Sequence, residues 1–184
     1  IDAHLRRGLA ADAAVGLLIC TVREFVKADR YLRSGQWATT PYPLSAGSLR
    51  DRTIGMVGMG RIGKAIARRL DAMKLPVVYH SRGKAEGVSY RHYPSLIEMA
   101  KDVNTLIVMT PGGAATKNLI NAEVLGALGP NGVVINMSRG SVVDEPALIA
   151  ALQKRQILAA GLDVFANEPA IPDELRAMQN VVLL

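Results

Sequence analysis

An α/β fold, built as a doubly wound parallel sheet with helices on both faces, is what this sequence of 184 residues predicts. Three observations carry that expectation. Short aliphatic runs alternate with helical patterns along most of the chain, which is how strand–helix–strand units read. Hydrophobic residues make up 49% of the chain and aromatic residues only 4%, a balance suited to aliphatic strands buried on both faces. One apolar run, Thr53–Val57, enters the spacing Gly58, Gly60, Gly63 and leaves as the helical pattern Lys64–Leu70, so strand, tight turn and helix follow in order.

The elements follow from the pattern. Residues 11–34 read as one long helix, with apolar positions at Val15, Leu18, Ile19, Val22, Phe25 and Val26 and a stop at Ser34–Gly35. The stretch 37–47 carries Pro41 and Pro43 and reads as a loop. Strands are expected at 53–57, 76–80, 104–109, 132–137, 158–163 and 181–184, and helices at 61–73, 94–101, 121–128 and 144–154. The crossovers of such a sheet are right-handed. Length and the absence of repeats or internal linkers assign residues 1–184 to a single domain.

Strand, glycine turn and helix in that order make a Rossmann-type dinucleotide-binding domain the expected architecture. Gly58 permits the tight turn, Gly60 lets backbone approach a pyrophosphate, and Gly63 lets helix and strand pack closely. Arg61 and Ile62 open the helix, whose exposed N–H groups face an anion. An ordinary strand–turn–helix also uses glycine for backbone reasons; the flanking elements favour the nucleotide.

Ligands of such sheets sit beyond the carboxyl ends of the strands, which directs attention to Gly58–Gly63, His80–Lys84, Thr110–Gly113, Ser138–Ser141 and Asp163–Glu168. An NAD site usually places a carboxylate after the second strand. Here Tyr79 is followed by His80-Ser81-Arg82-Gly83-Lys84. Arg82 suits a bidentate grip on a 2′-phosphate with Ser81 donating a hydrogen bond, and the missing carboxylate removes a repulsion. NADPH is therefore expected over NADH, with NAD possible; a solvated loop of slight selectivity is the alternative. His80 ends a strand and is not taken as a catalytic base. Arg139, at a strand's carboxyl end, suits a carboxylate and a carbonyl oxygen, though a surface arginine would look the same. Asp163 is placed to face the nicotinamide side. Glu168, before Pro169, suits either a partner to a histidine or a turn acid, and spacing alone leaves both open.

The formal charge of +6 is spread over helical faces, with no basic block interleaved with aromatics, so no nucleic-acid partner is expected. The excess suits attraction of an anionic cofactor and substrate. Cys20 is the single cysteine, expected as a small core residue; no internal disulfide is possible, which fits a reducing, cytoplasmic setting. Arg6-Arg7 and the apolar residues up to Ile19 imitate an export signal, but Asp12 interrupts them and a charged helix continues. No apolar run suits a membrane span, and no metal site is expected.

The chain resembles the nucleotide-binding domain of the D-isomer-specific 2-hydroxyacid dehydrogenases over nearly its whole length. The likeness lies in Ala11-Asp12-Ala13-Ala14-Val15-Gly16-Leu17-Leu18, Val57–Gly63, Thr110-Pro111, Asn136–Glu145, Gly161–Phe165 and Glu168-Pro169. It implies that Arg139 binds the substrate carboxylate and polarises its carbonyl, that Glu168 pairs with a catalytic histidine, and that Asp163 holds the nicotinamide carboxamide. It places Thr110, Pro111 and Met137 in the cofactor cleft. Ser81-Arg82 resembles the NADP-preferring glyoxylate and hydroxypyruvate reductases, which implies reduction of a small 2-oxo acid to the D-2-hydroxy acid. The first helix and the loop around Trp37 resemble segments that build a homodimer. Two departures stand out. The family histidine follows a strand like Asn180–Leu184, a position that His4, His80 and His92 do not match. The substrate domain normally precedes the long helix, and only the residues before Ala11 stand ahead of it. The sequence thus reads as a cofactor domain, expected to bind dinucleotide and to turn over little substrate by itself. A dinucleotide-sensing scaffold or co-repressor, and a dehydrogenase of another substrate such as phosphoglycerate or formate, are the alternatives.

Overall fold

The computed structural model describes residues 3–43, 45 and 47–184. Ile1, Asp2, Leu44 and Ala46 lie outside the described residues, as do the side chains of Ala3, His4, Leu5 and Arg6. Two helices lead, α1 (Ala3–Val22) and α2 (Phe25–Arg33), followed by a 3-10 turn at Gln36–Ala38. Then come β1 (Ile54–Val57), α3 (Arg61–Ala72), β2 (Val77–His80), β3 (Arg91–Tyr93), α4 (Leu96–Asp102) and β4 (Thr105–Val108). The second half holds α5 (Ala122–Leu128), β5 (Val133–Asn136), α6 (Glu145–Gln153), β6 (Ala159–Leu162), α7 (Asp173–Ala177) and β7 (Val181–Leu183).

The strands form one sheet in the order β3-β2-β1-β4-β5-β6-β7, and every pair is parallel. The expected doubly wound parallel sheet is therefore present, with its topological switch between β1 and β4. Each face buries its own core. On one side, Leu18 of α1 and Ile66 and Leu70 of α3 meet Ile54, Met56, Ile107 and Ile135. On the other, Met99 of α4, Leu125 of α5 and Leu148 of α6 meet Leu106, Val108 and Val134. Odd and even positions of one strand thus feed opposite cores, as the period of two requires.

Local chemistry starts the helices on the second face. Ser95, Asn121 and Asp144 each accept the N–H three residues on with a side-chain oxygen, which satisfies donors the helix leaves orphaned. At the amino edge of the sheet the buried Arg52 donates to the carbonyls of Asn104 (3.2 Å) and Asn131 (2.6 Å), so one guanidinium ties the entries of β1, β4 and β5. Burial lowers its pKa from the ordinary arginine value, and the nearby Asp51 opposes that shift.

Three expectations need correction. The helix over 11–34 is two helices, because Glu24 takes the left-handed conformation (φ 53°) between them. The chain returns just there: a Cβ on Gly47 would lie 2.0 Å from the carbonyl oxygen of Val22, so tertiary contact, not sequence, ends α1. The short strand β3 and the helix α7 have no counterpart among the expected elements. Cys20 is only half-buried rather than a core residue.

Candidate functional site

Register brings the predicted residues to one edge. Val57, His80, Val108, Asn136 and Leu162 pair across neighbouring strands, so Gly58, Ser81, Met109, Met137 and Asp163 form the next row, at the carboxyl edge. The ladder runs one bond further into that row. Gly58 N–H donates to His80 O (2.9 Å), Met109 N–H to Val57 O (2.8 Å), Met137 N–H to Val108 O (3.2 Å) and Asp163 N–H to Asn136 O (3.1 Å).

The glycines behave as their spacing demands. Gly58 turns with φ 102°, and a Cβ there would lie 2.6 Å from Met109 O. A Cβ on Gly63 would lie 2.4 Å from Gly58 O, so α3 packs directly on the turn. Gly60 is the opposite case: nothing lies within 4 Å of where its Cβ would be. It caps α3 without any side-chain hydrogen bond. The first-turn N–H groups, Arg61 and Ile62 among them, lack intrahelical partners by helix geometry and open onto that free space. Across the switch, Thr110 follows β4, and its Oγ1 is buried with no hydrogen-bond partner. A buried hydroxyl without a partner is costly, and at this edge it leaves a hydrogen-bonding group for a ligand to use. Open space at Gly60, an uncapped helix start and the orphan Thr110 fit the phosphates and ribose of a dinucleotide. Pro111 follows Thr110 and is exposed, and Met137, after β5, is buried.

On the adenosine side, Arg82 is exposed on the loop after β2. Ser81 Oγ donates its proton to Gly83 O at 2.6 Å. It therefore shapes the loop and would have to exchange that bond to donate to a phosphate. His80 Nδ1–H donates to Tyr93 O (2.9 Å) and His92 Nε2–H to Ser81 O (3.0 Å). Both histidines thus stitch β3 to β2, three strands away from β5.

On the opposite side, the turn carrying Arg139 is built by Asn136. Its Oδ1 accepts from the N–H and the hydroxyl of Ser138 (3.1 and 2.9 Å), and its Nδ2 donates to Arg139 O (3.2 Å). The Arg139 side chain is exposed and lies against Gly112, where a Cβ would meet its Cγ at 2.9 Å. Gly140 meets the loop after β6, because a Cβ there would fall 1.9 Å from Phe165 O. That loop is held by two carboxylates: Glu168 accepts Phe165 N–H (3.0 Å) and Glu145 of α6 accepts Ala166 N–H (3.1 Å). The Asp163 carboxyl is pushed up from its ordinary value, first by burial and then by the charge of Glu168. Arg139, Asp163 and Glu168 therefore sit on two turns in direct contact, and the Thr110–Gly113 segment touches one of them. The sequence reading had assigned no role to Asn136, Gly112, Gly140 or Glu145. A polar residue closing the run Val133-Val134-Ile135 was the one signal available for Asn136.

A parallel sheet with a glycine turn, an open helix start and an orphan hydroxyl at its switch point defines a dinucleotide-binding domain of the Rossmann type. The particular lineage is equally plain: the chain belongs to the D-isomer specific 2-hydroxyacid dehydrogenases, matching their NAD binding domain over residues 15–184. A solved NADPH-dependent glyoxylate/hydroxypyruvate reductase from Sinorhizobium meliloti, in complex with NADP and malonate, is 52% identical with a TM-score of 0.92, over 95% of this chain and 55% of that one. Hydroxyphenylpyruvate reductase of Plectranthus scutellarioides is 41% identical over 95% of this chain and 55% of its own length. Glyoxylate/hydroxypyruvate reductase A of Arabidopsis thaliana is 40% identical with the same coverage. The chain thus spans about half the length of the relatives it matches. Among the described residues no helix is long and apolar enough to cross a membrane.

Proposed function

We propose that residues 1–184 form the NAD(P)-binding domain of an NADPH-dependent reductase, which converts a small 2-oxo acid of the glyoxylate or hydroxypyruvate kind to its D-2-hydroxy acid. The observation that carries the reading is the convergence of the Arg139 turn on the Gly112 segment and on the Asp163–Glu168 loop, with Thr110 of the former segment against Gly58 of the glycine turn. The names of the relatives support the substrate class.

NADPH, when bound, supplies the hydride for the substrate's C2. Gly58–Gly63 and the start of α3 receive the pyrophosphate, Thr110, Pro111 and Met137 line the cleft, and Arg82, with Ser81 shaping its loop, faces the 2′-phosphate. Asp163 accepts a hydrogen bond from the carboxamide and fixes the nicotinamide face. Arg139 grips the substrate carboxylate and stabilises the charge that develops on the C2 oxygen. Glu168 keeps a histidine acid charged so that it protonates that oxygen. His80 and His92 are committed to carbonyls at the β2–β3 edge, so neither takes that part.

The protein works as a homodimer, a reading supported by α2, which has no buried residue and leaves Phe25 and Leu32 exposed, with Trp37 beyond it. A cytoplasmic, reducing setting fits the unpaired Cys20.

Oxidation of NADPH and NADH by the full-length protein that carries these residues, with glyoxylate and with hydroxypyruvate, tests the reading. We expect faster turnover with NADPH, and a loss of at least about a hundredfold in Arg139→Ala. Turnover in that variant close to wild type would remove Arg139 from the chemistry and the proposal with it.

A further inference from the structure

Arg82 sits on a stretch, Ser81–Glu86, that belongs to no helix or strand and contains a glycine. An exposed guanidinium on a free loop loses much of its grip to ordering, so discrimination at this position depends on what holds the loop. Register supplies the holders. Tyr79 of β2 and His92 of β3 are direct partners in the parallel ladder, and their rings meet at 5.1 Å between centroids with 45° between planes. Tyr79 is 2% exposed. Its hydroxyl accepts the N–H of Ala85 at 3.0 Å, and His92 Nε2–H donates to Ser81 O at 3.0 Å. One packed pair therefore grips the backbone on both sides of Arg82. Two further bonds complete the frame, from Ser81 Oγ to Gly83 O and from Lys64 Nζ of α3 to Glu86 O. The Tyr79 ring also packs in the core of that face, but its hydroxyl and the His92 ring N–H are both spent on the loop.

We propose that Tyr79 and His92 are positioning residues that hold the Ser81–Glu86 loop in the shape through which Arg82 selects a 2′-phosphate, without touching cofactor themselves. The proposal rests on the reading of Arg82 given above.

Dissociation constants of NADPH and NADH, measured by titration calorimetry on the purified protein, test it. Tyr79→Phe removes one hydroxyl, and His92→Phe keeps the ring but loses the donor. Each is expected to weaken NADPH by about five- to tenfold, the size of one lost hydrogen bond, and to leave NADH within about twofold. His92→Gln, which returns an N–H near the same place, is expected to restore the wild-type ratio. Equal weakening of both cofactors would show a structural role only and overturn the proposal. So would a wild-type ratio in both Phe variants while Arg82→Ala abolishes selectivity. A wild-type ratio in Arg82→Ala would instead bring down the 2′-phosphate reading, and this proposal with it. Tyr79→Phe keeps the test decisive if His92→Phe does not fold.

Discussion

Asp163 shows what a single residue costs at such a site. Burial and the neighbouring Glu168 both disfavour its charge, so its carboxyl titrates above the ordinary value. The folded chain holds that proton more tightly than the unfolded chain, and stability falls as pH rises through the interval between the unfolded and the folded pKa. The penalty is complete above the folded pKa and absent below the unfolded one. Asp163→Asn carries no charge to bury. Its melting temperature should exceed that of the wild type at neutral pH, and the gap should close as pH falls through the carboxylate range. Thermal scans at several pH values check this; a gap that ignores pH would show that desolvation of the charge is not the cause. The same variant should bind NADPH more weakly if the carboxylate accepts from the carboxamide, which would explain why a destabilising acid stands there.

At the scale of elements, contact between turns brings Arg139 beside the Asp163–Glu168 loop, and Gly140 is its narrowest point. A side chain there would overlap Phe165 O, so Gly140→Ala must push the Arg139 turn away from the Asp163–Glu168 loop. Displacements near an ångström cost catalysis about a hundredfold. We expect kcat in Gly140→Ala to drop by about that factor, with the Kd for NADPH within about threefold, because the glycine turn lies on β1 and α3. Unchanged turnover would mean the two turns need not touch. The close approach that makes Gly140 matter is long-range, and sequence spacing does not express it. Local pattern served better elsewhere. The apolar runs of β1, β4 and β5 and the glycine turn were legible because strand burial and turn geometry are local demands. β3 was not, since Arg91-His92-Tyr93 has no apolar run and is a strand only by pairing with β2. The break at Glu24 was hidden for a like reason: the apolar pattern runs through Val22, Phe25 and Val26 without glycine or proline. Arg139, Asp163 and Glu168 were legible as strand-end residues, while Asn136 and Glu145, which hold their turns, act through folded geometry.

For the whole molecule, the two ends of the sheet have different tasks. The carboxyl edge carries the glycine turn and the turns that hold Arg139, Asp163 and Glu168. α2, by contrast, packs chiefly on α1 and the Gln36–Ala38 turn, with Tyr31 reaching Thr40 and Tyr42, and leaves Phe25, Leu32 and Trp37 at 49%, 50% and 66% exposure. The proposed partner surface rests on these three exposed groups and requires that they form one apolar patch. A stable interface of ordinary size buries about 800 Å² per partner, more than a single nine-residue helix offers, so the Trp37 segment must contribute as well. If this arm joins two copies, Leu32→Glu combined with Trp37→Ser should convert a dimer to a monomer in sedimentation equilibrium. NADPH affinity should stay within about twofold, since the arm packs chiefly on α1 rather than on the glycine turn and a small effect is usual for a distant surface change. A dimer that survives both substitutions would assign the interface elsewhere on the chain, and a wild-type protein that sediments as a monomer would end the dimer reading. Loss of NADPH binding together with the dimer would carry a further consequence: the crevice would then depend on a neighbour that its own strands and turns do not call for.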